Sequence, residues 1–273
     1  MNTPDHARPL ALVTGASAGI GAEFARQFAA RGYDLALTAR RRDRLDELAA
    51  SLKTRHQIEC LVIEGDLAEP ETPAVILEAV ESAGRRVDVL VNNAGYAVPG
   101  AFTTAEWKDH RDFIQVMITA VAELSYRCLP AMKESGRGGI INVASLAGIV
   151  AGTAGHTLYG AVKAWMIKFS ESLAMEYDGT GVNIQALCPG FTYSEFHDVI
   201  GMRESVSKLP DYMWMSAGDV VAIGLDRFGQ RNAPVMVVPG RWNRFLAALS
   251  RKLPYRVAFN MVRRRSRKFR HRE

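Results

Sequence analysis

The chain has 273 residues, 48% of them hydrophobic and 23% charged, which fits a soluble globular protein and excludes a disordered or collagen-like one. Its three cysteines, Cys60, Cys128 and Cys188, are widely spaced and odd in number; they make no disulfide framework and no zinc spacing, so no metal is expected. The formal net charge of +5 is uneven: residues 241–273 hold 12 Lys/Arg against the single acid Glu273, leaving 22 bases and 28 acids elsewhere, so any case for nucleic-acid binding from charge concerns the tail alone.

Residues 1–9 are polar and lack the basic-then-apolar order of a secretory signal. The uncharged run 138–162 is broken by glycines, Asn142, Ser145, His156 and Tyr159, so it reads as strand, loop and helix start and not as a membrane span. A cytoplasmic location is expected.

Short β-branched and apolar runs alternate with longer amphipathic ones. Strands are expected at 10–14, 34–38, 59–63, 87–92, 139–144 and 182–188, with a last edge strand at 235–238. Helices are expected at 19–30, 42–52, 73–83, 105–132 and 158–177. Thr103, with Glu106 three residues on, has capping-box spacing before the long helix. This rhythm predicts an α/β fold in which helices cover both faces of a parallel sheet. One domain over 1–240 is expected, followed by a basic, partly amphipathic extension over 241–273.

The first strand runs into Thr14-Gly15-Ala-Ser17-Ala-Gly19-Ile20-Gly21. Glycines there permit a tight turn and a close approach of backbone to a pyrophosphate, and the following helix offers free N–H groups and its positive dipole end. The spacing differs from the commoner G-x-G-x-x-G, and a plain glycine-rich turn is the alternative. At the end of the second strand, where an acid would hold the ribose 2′-hydroxyl of NAD, stands Ala39, followed by Arg40, Arg41 and Arg42. An arginine suits a 2′-phosphate, which favours NADP(H) over NAD(H), with Arg40 as first choice and Arg41, Arg42 and Arg44 as candidates for solvated helix-start charges. Asp66 and Leu67 end the third strand, where Asp66 is placed to contact an adenine amino group. Asn92-Asn93-Ala94-Gly95 ends the fourth. Ordinary strand-end turn chemistry is the alternative for both.

Tyr159 and Lys163 are four apart and share a helix face. A nearby ammonium favours phenolate, which would lower the tyrosine pKa and make a usable acid/base. Ser145 follows an apolar strand, at the C-terminal end where such sheets bind ligands.

In this order the motifs resemble the short-chain dehydrogenase/reductases, in their compact branch. The resemblance covers about residues 9–240 and rests on Thr14–Gly21, Asp66, Asn92–Gly95, Ser145, Tyr159/Lys163 and Cys188-Pro189-Gly190. It implies a Rossmann-type, three-layer doubly wound sheet and hydride transfer between a nicotinamide and a carbonyl carbon. Tyr159 would then donate the proton, Lys163 would hold the nicotinamide ribose and tune Tyr159, and Ser145 would orient the substrate. Pro189, Gly190, Thr192 and Ser194 would border the nicotinamide carboxamide. It also implies a homodimer or homotetramer.

Three departures stand out. The family's relay asparagine aligns with Met117, which cannot hold a water in the same way. Ser145 and Tyr159 are one residue further apart than in many relatives, with the insertion in the loop 149–156. Ser194 replaces the usual threonine. His156 reads as a rim histidine or a substrate contact.

The segment 191–216, expected to cover the substrate, carries Phe191, Tyr193, Phe196, Ile200, Met202, Leu209, Tyr212, Met213, Trp214 and Met215. Such groups suit a bulky lipophilic substrate, such as an acyl chain, a sterol or a polyketide-like ketone, unless they simply pack the cover. The leading expectation is an NADP(H)-dependent carbonyl reductase or alcohol dehydrogenase. A cofactor-binding sensor with weak turnover, suggested by Met117, is the alternative; an epimerase or dehydratase is a third. For 263–273 the order of readings is a solvated end, then peripheral contact with an anionic membrane, then nucleic acid, which no recognised module supports.

Overall fold

A computed structural model describes residues 8–194, 210–230 and 232–265. In chain order it contains β1 (Leu10–Thr14), α1 (Gly19–Ala30), β2 (Asp34–Ala39), α2 (Arg42–His56), β3 (Cys60–Glu64), α3 (Thr72–Ser82), β4 (Val89–Asn92) and α4 (Trp107–Ile114). A π-helical turn, Gln115–Thr119, joins α4 to α5 (Ala120–Ser135). There follow β5 (Gly139–Val143), α6 (Thr157–Glu176), β6 (Asn183–Leu187), β7 (Phe191–Tyr193), β8 (Trp214–Ser216), α7 (Ala217–Arg227), β9 (Met236–Val237), α8 (Arg241–Lys252) and α9 (Tyr255–Arg265).

Seven strands form one sheet in the order β3-β2-β1-β4-β5-β6-β9, every pair parallel. Strands covered on both faces must be apolar nearly throughout, and all of β1 and β5 is buried. Side chains alternate between two cores. Ala11 and Val13 pack with Phe24 and Phe28 of α1, Leu45 of α2 and Val220 of α7. Leu10 and Leu12 pack with Ile76 of α3, Leu124 of α5 and Val162 of α6. The three layers of a doubly wound α/β fold result.

Asp34, at the start of β2, locks the edge of the sheet away from the site. One carboxylate oxygen accepts from the Glu59 amide at 2.8 Å and the other from Arg85 at 2.9 Å. Arg85 also donates to the Arg8 carbonyl at 2.7 Å.

The long helix differs from expectation. It begins at Trp107, with Glu106 as its N-cap and no side-chain cap, so the capping box does not form. Residues 101–104 instead close a turn, in which the Thr104 hydroxyl donates to the Ala101 carbonyl at 2.8 Å. The π turn at 115–119 interrupts the run and centres on Met117. Such turns recur at functional sites.

β1 and β4 are neighbours, yet the chain leaves them in opposite directions across the sheet. This is the switch point at which open α/β sheets bind ligands, beyond the strand C-termini.

Candidate active site

At the switch point the glycine turn and the Asn-Asn-Ala-Gly turn are tied to each other. The Thr14 hydroxyl accepts from the Asn93 and Ala94 amides, both at 3.0 Å, and donates to the Val91 carbonyl at 3.2 Å. The Asn93 side-chain amide donates back to the Thr14 carbonyl at 2.9 Å. Gly15 has φ +65°, and a Cβ on Gly21 would stand 2.3 Å from the Gly15 carbonyl oxygen. Side chains at either position would force the turn open. Ser17, Gly19 and Ile20 then face a cavity at the N-terminus of α1.

That cavity is about 1200 Å³ and extends from the glycine turn to Ser145, Tyr159 and Lys163. Arg40, Asp66, Leu67, Ala94 and Gly95 line one end, while Pro189, Gly190, Thr192 and Ser194 line the other. Thr14 lies beneath the turn and acts through it. Ser194 sits over the turn, its Cβ 3.1 Å from where a Cβ on Gly19 would stand.

The arginines separate. Arg40 faces Asp66 at 3.8 Å, both well exposed. Arg41 reaches the glycine turn itself, donating to the Ser17 hydroxyl at 3.0 Å through one guanidinium nitrogen and at 3.3 Å through another. Arg42 pairs with Asp46 one helical turn on, at 3.1 Å, a surface arrangement. Arg41 thus joins Arg40 at the corner, while Arg42 fits the alternative of a solvated helix-start charge.

Ser145 caps a short 3₁₀ turn, Leu146–Gly148, its oxygen accepting from the Ala147 amide at 3.1 Å. Tyr159, in the first turn of α6, shares a hydrogen bond with the Ser145 side chain. Lys163 is buried, donates to the Val143 carbonyl at 2.6 Å and lies 5.7 Å from the Tyr159 ring centre. Burial pushes the Tyr159 phenol up to about 12, with the Ser145 bond pulling the other way. Burial pulls Lys163 down to about 8, with the Cys188 thiol opposing. The expectation of a depressed tyrosine pKa therefore fails in the protein alone. Desolvation by burial is the larger influence on the phenol, and the Ser145 hydrogen bond offsets only part of it. At neutral pH Tyr159 holds its proton and Lys163 holds its charge.

Met117 is fully buried. It lines the cavity, and its sulfur lies 2.8 Å from where a Cβ on Gly95 would stand. His156 also lines the cavity; its Nδ1 is buried without a hydrogen-bond partner, and burial lowers its pKa.

β7 and β8, the two ends of the expected cover, pair with each other, and Tyr193 stacks on Trp214 with ring centres 4.8 Å apart. Phe196, Ile200, Met202 and Leu209 lie outside the described residues. Sequence reasoning missed another part of the cavity wall. Leu246, Leu249 and Leu253 of the α8 end, with Ala258, Met261 and Val262 of α9, line the same cavity as Tyr159. Asn243 anchors α8: its side chain is buried, donates to the Pro239 carbonyl at 2.8 Å and stands 2.4 Å from where a Cβ on Gly190 would be. The one available signal was the amphipathic pattern of 241–252, which shows a buried face but not what covers it.

The profile of the short chain dehydrogenase family matches residues 9–204, and the chain belongs to that family. Sulfoacetaldehyde reductase 2 of Chromohalobacter salexigens is 35% identical over 189 residues, which span 68% of this chain and 74% of the relative. An NADPH complex of a short-chain dehydrogenase from Sphingobium yanoikuyae superposes with TM-score 0.77 at 31% identity, covering 90% of this chain and 97% of the other. The bulky-bulky ketone specific alcohol dehydrogenase of Comamonas testosteroni does so with TM-score 0.73 at 29% identity, covering 90% and 95%. The chain is an oxidoreductase of this family.

Proposed function

We propose that the protein uses NADP(H) to interconvert a ketone and a secondary alcohol on a bulky hydrophobic molecule. The observation that carries this is the convergence of Ser145, Tyr159 and Lys163 on the cavity that the glycine turn opens into. The cradle suits a dinucleotide: Gly15, Ser17, Gly19 and Ile20 line it at the α1 N-terminus, and a Cβ at Gly21 would collide with the Gly15 carbonyl that shapes the turn. Thr14, Gly15, Ser17, Gly19, Ile20 and Gly21 would hold the pyrophosphate side. Asp66, Leu67, Asn93, Ala94 and Gly95 would border the adenosine, and Pro189, Gly190, Thr192 and Ser194 the nicotinamide. Arg40 and Arg41, with Ser17, supply donors suited to a 2′-phosphate where an acid would serve NAD. The NADPH complex of the Sphingobium relative supports this preference.

Bound NADP(H) supplies or accepts the hydride. In the reducing direction Tyr159 donates its proton to the carbonyl oxygen, Ser145 donates a hydrogen bond to the same oxygen, and the Lys163 ammonium stabilises the phenolate left behind. The cavity volume and its apolar wall from α8 and α9 favour a large lipophilic substrate. The ketone class named for the Comamonas relative agrees with this.

Oxidation of NADPH by a panel of long-chain and polycyclic ketones, lost in Tyr159→Phe, tests the proposal. A second reading, a cofactor-dependent sensor, draws on Met117, which places sulfur where the family keeps an asparagine. NADPH binding without turnover, unchanged in Met117→Asn, would favour the sensor.

A further inference from the structure

The cations and exposed aromatics of the C-terminal helices serve neither the cofactor turn nor the Tyr159 group. In α9, Tyr255, Ala258, Phe259 and Val262 follow helical spacing and form one stripe. Ala258 and Val262 line the cavity. Tyr255 and Phe259 continue the stripe outside it, 75% and 43% exposed and stacked with ring centres 5.8 Å apart. Arg256, Asn260, Arg263 and Arg264 form the opposite stripe. Met261 belongs to both environments, lining the cavity while 49% exposed. Phe245 on α8 is another exposed aromatic. Neither helix contains an acid, and 241–273 carries 12 Lys/Arg against one acid. Among the described residues no helix is long and apolar enough to cross a membrane.

We propose that α8 and α9 dock the protein on an anionic phospholipid surface, with Tyr255 and Phe259 entering the headgroup boundary and the arginines lying at phosphate level. Exposed aromatics beside clustered cations, on a helix too short and polar to span, match the chemistry of an interfacial helix. Charge alone would suit any polyanion; the stacked aromatic pair selects a surface with an apolar interior. Met261 then places the cavity rim at the lipid boundary. Docking rests on the helices alone, and only entry of a substrate from the lipid rests on the reading above.

The full chain is floated with phosphatidylcholine vesicles and with phosphatidylcholine–phosphatidylglycerol vesicles, without substrate, over rising sodium chloride. Flotation with the mixed vesicles only, reversed by salt, is expected. Tyr255→Ser/Phe259→Ser and, separately, Arg263→Glu/Arg264→Glu should each weaken it by more than about tenfold. NADPH binding, which these four residues do not line, should stay as in the unaltered chain and so report correct folding. Absence of flotation at low salt would overturn the proposal. So would full flotation of the aromatic variant, or a change of oligomeric state in place of lipid binding. A chain that floats but reduces no ketone would keep the docking and remove the catalytic reading; the reverse result would remove the docking alone.

Discussion

The Lys163 ammonium donates to the Val143 carbonyl at 2.6 Å, joining the helix that carries Tyr159 to the strand that leads into Ser145. The bond fixes where the charge sits, and burial sets when it is present. Because Lys163 is pulled down to about 8 and Tyr159 up to about 12, the competent state for reduction holds both protons. The kcat/KM for reduction should be flat below pH 8 and fall above it. Arginine keeps its charge throughout that range, so Lys163→Arg should remove the alkaline limb while lowering the plateau. A pH–rate profile of both proteins checks this.

The same burial sets a stability trend. The folded Lys163 pKa lies below its unfolded value, so the unfolded chain binds more protons between about pH 8 and the ordinary lysine pKa near 10.5, and stability rises with pH across that window. Below pH 8 the cost of the buried charge is fully present. Lys163→Met should therefore be more stable than the unaltered chain at pH 7, by on the order of a few kcal/mol. The difference should shrink toward pH 10.5. Urea midpoints of the two proteins at several pH values test it.

Arg41 touches the glycine turn through Ser17. Arg41→Ala should weaken NADPH binding by roughly 10–100-fold, the worth of one or two charge-assisted bonds, and leave NADH nearly unchanged. Arg40→Ala should show the same sign. Fluorescence titration with both nucleotides measures the ratio.

Asp34 holds the Glu59 amide and Arg85 on the side of the sheet away from the cavity. Asp34→Ala leaves the partly exposed Arg85 and the Glu59 amide without their carboxylate and should cost about 1–3 kcal/mol. Nucleotide affinity at 25 °C should hold. Denaturant unfolding beside an NADPH titration separates the two effects.

Motifs confined to one strand and one turn were legible in the sequence. β1 with its glycines, and Tyr159 with Lys163 on one helix face, need only local periodicity. The start of the long helix was not legible, because Thr103 falls inside the 101–104 turn, closed by the Thr104 hydroxyl, and the helix begins only at Trp107. Arg41 was passed over in favour of Arg40, since which of two adjacent arginines turns toward Ser17 depends on the bend between β2 and α2. The upward push that burial gives Tyr159 in the protein alone was not legible, because spacing shows the neighbouring cation but not the desolvation. The wall from α8 and α9 was invisible for a further reason. An amphipathic pattern announces a buried face, whereas its partner, here Gly190 and the cavity, is set by long-range packing through Asn243.

The most direct test is a paired titration with NADPH and NADH, followed by ketone addition and repeated with Tyr159→Phe. The account predicts tighter NADPH binding and ketone-dependent NADPH oxidation that falls by about 10²–10⁴-fold in Tyr159→Phe without loss of NADPH affinity. Folded protein that binds neither nucleotide, or a Tyr159→Phe variant that reduces ketone at the unaltered rate, would contradict it.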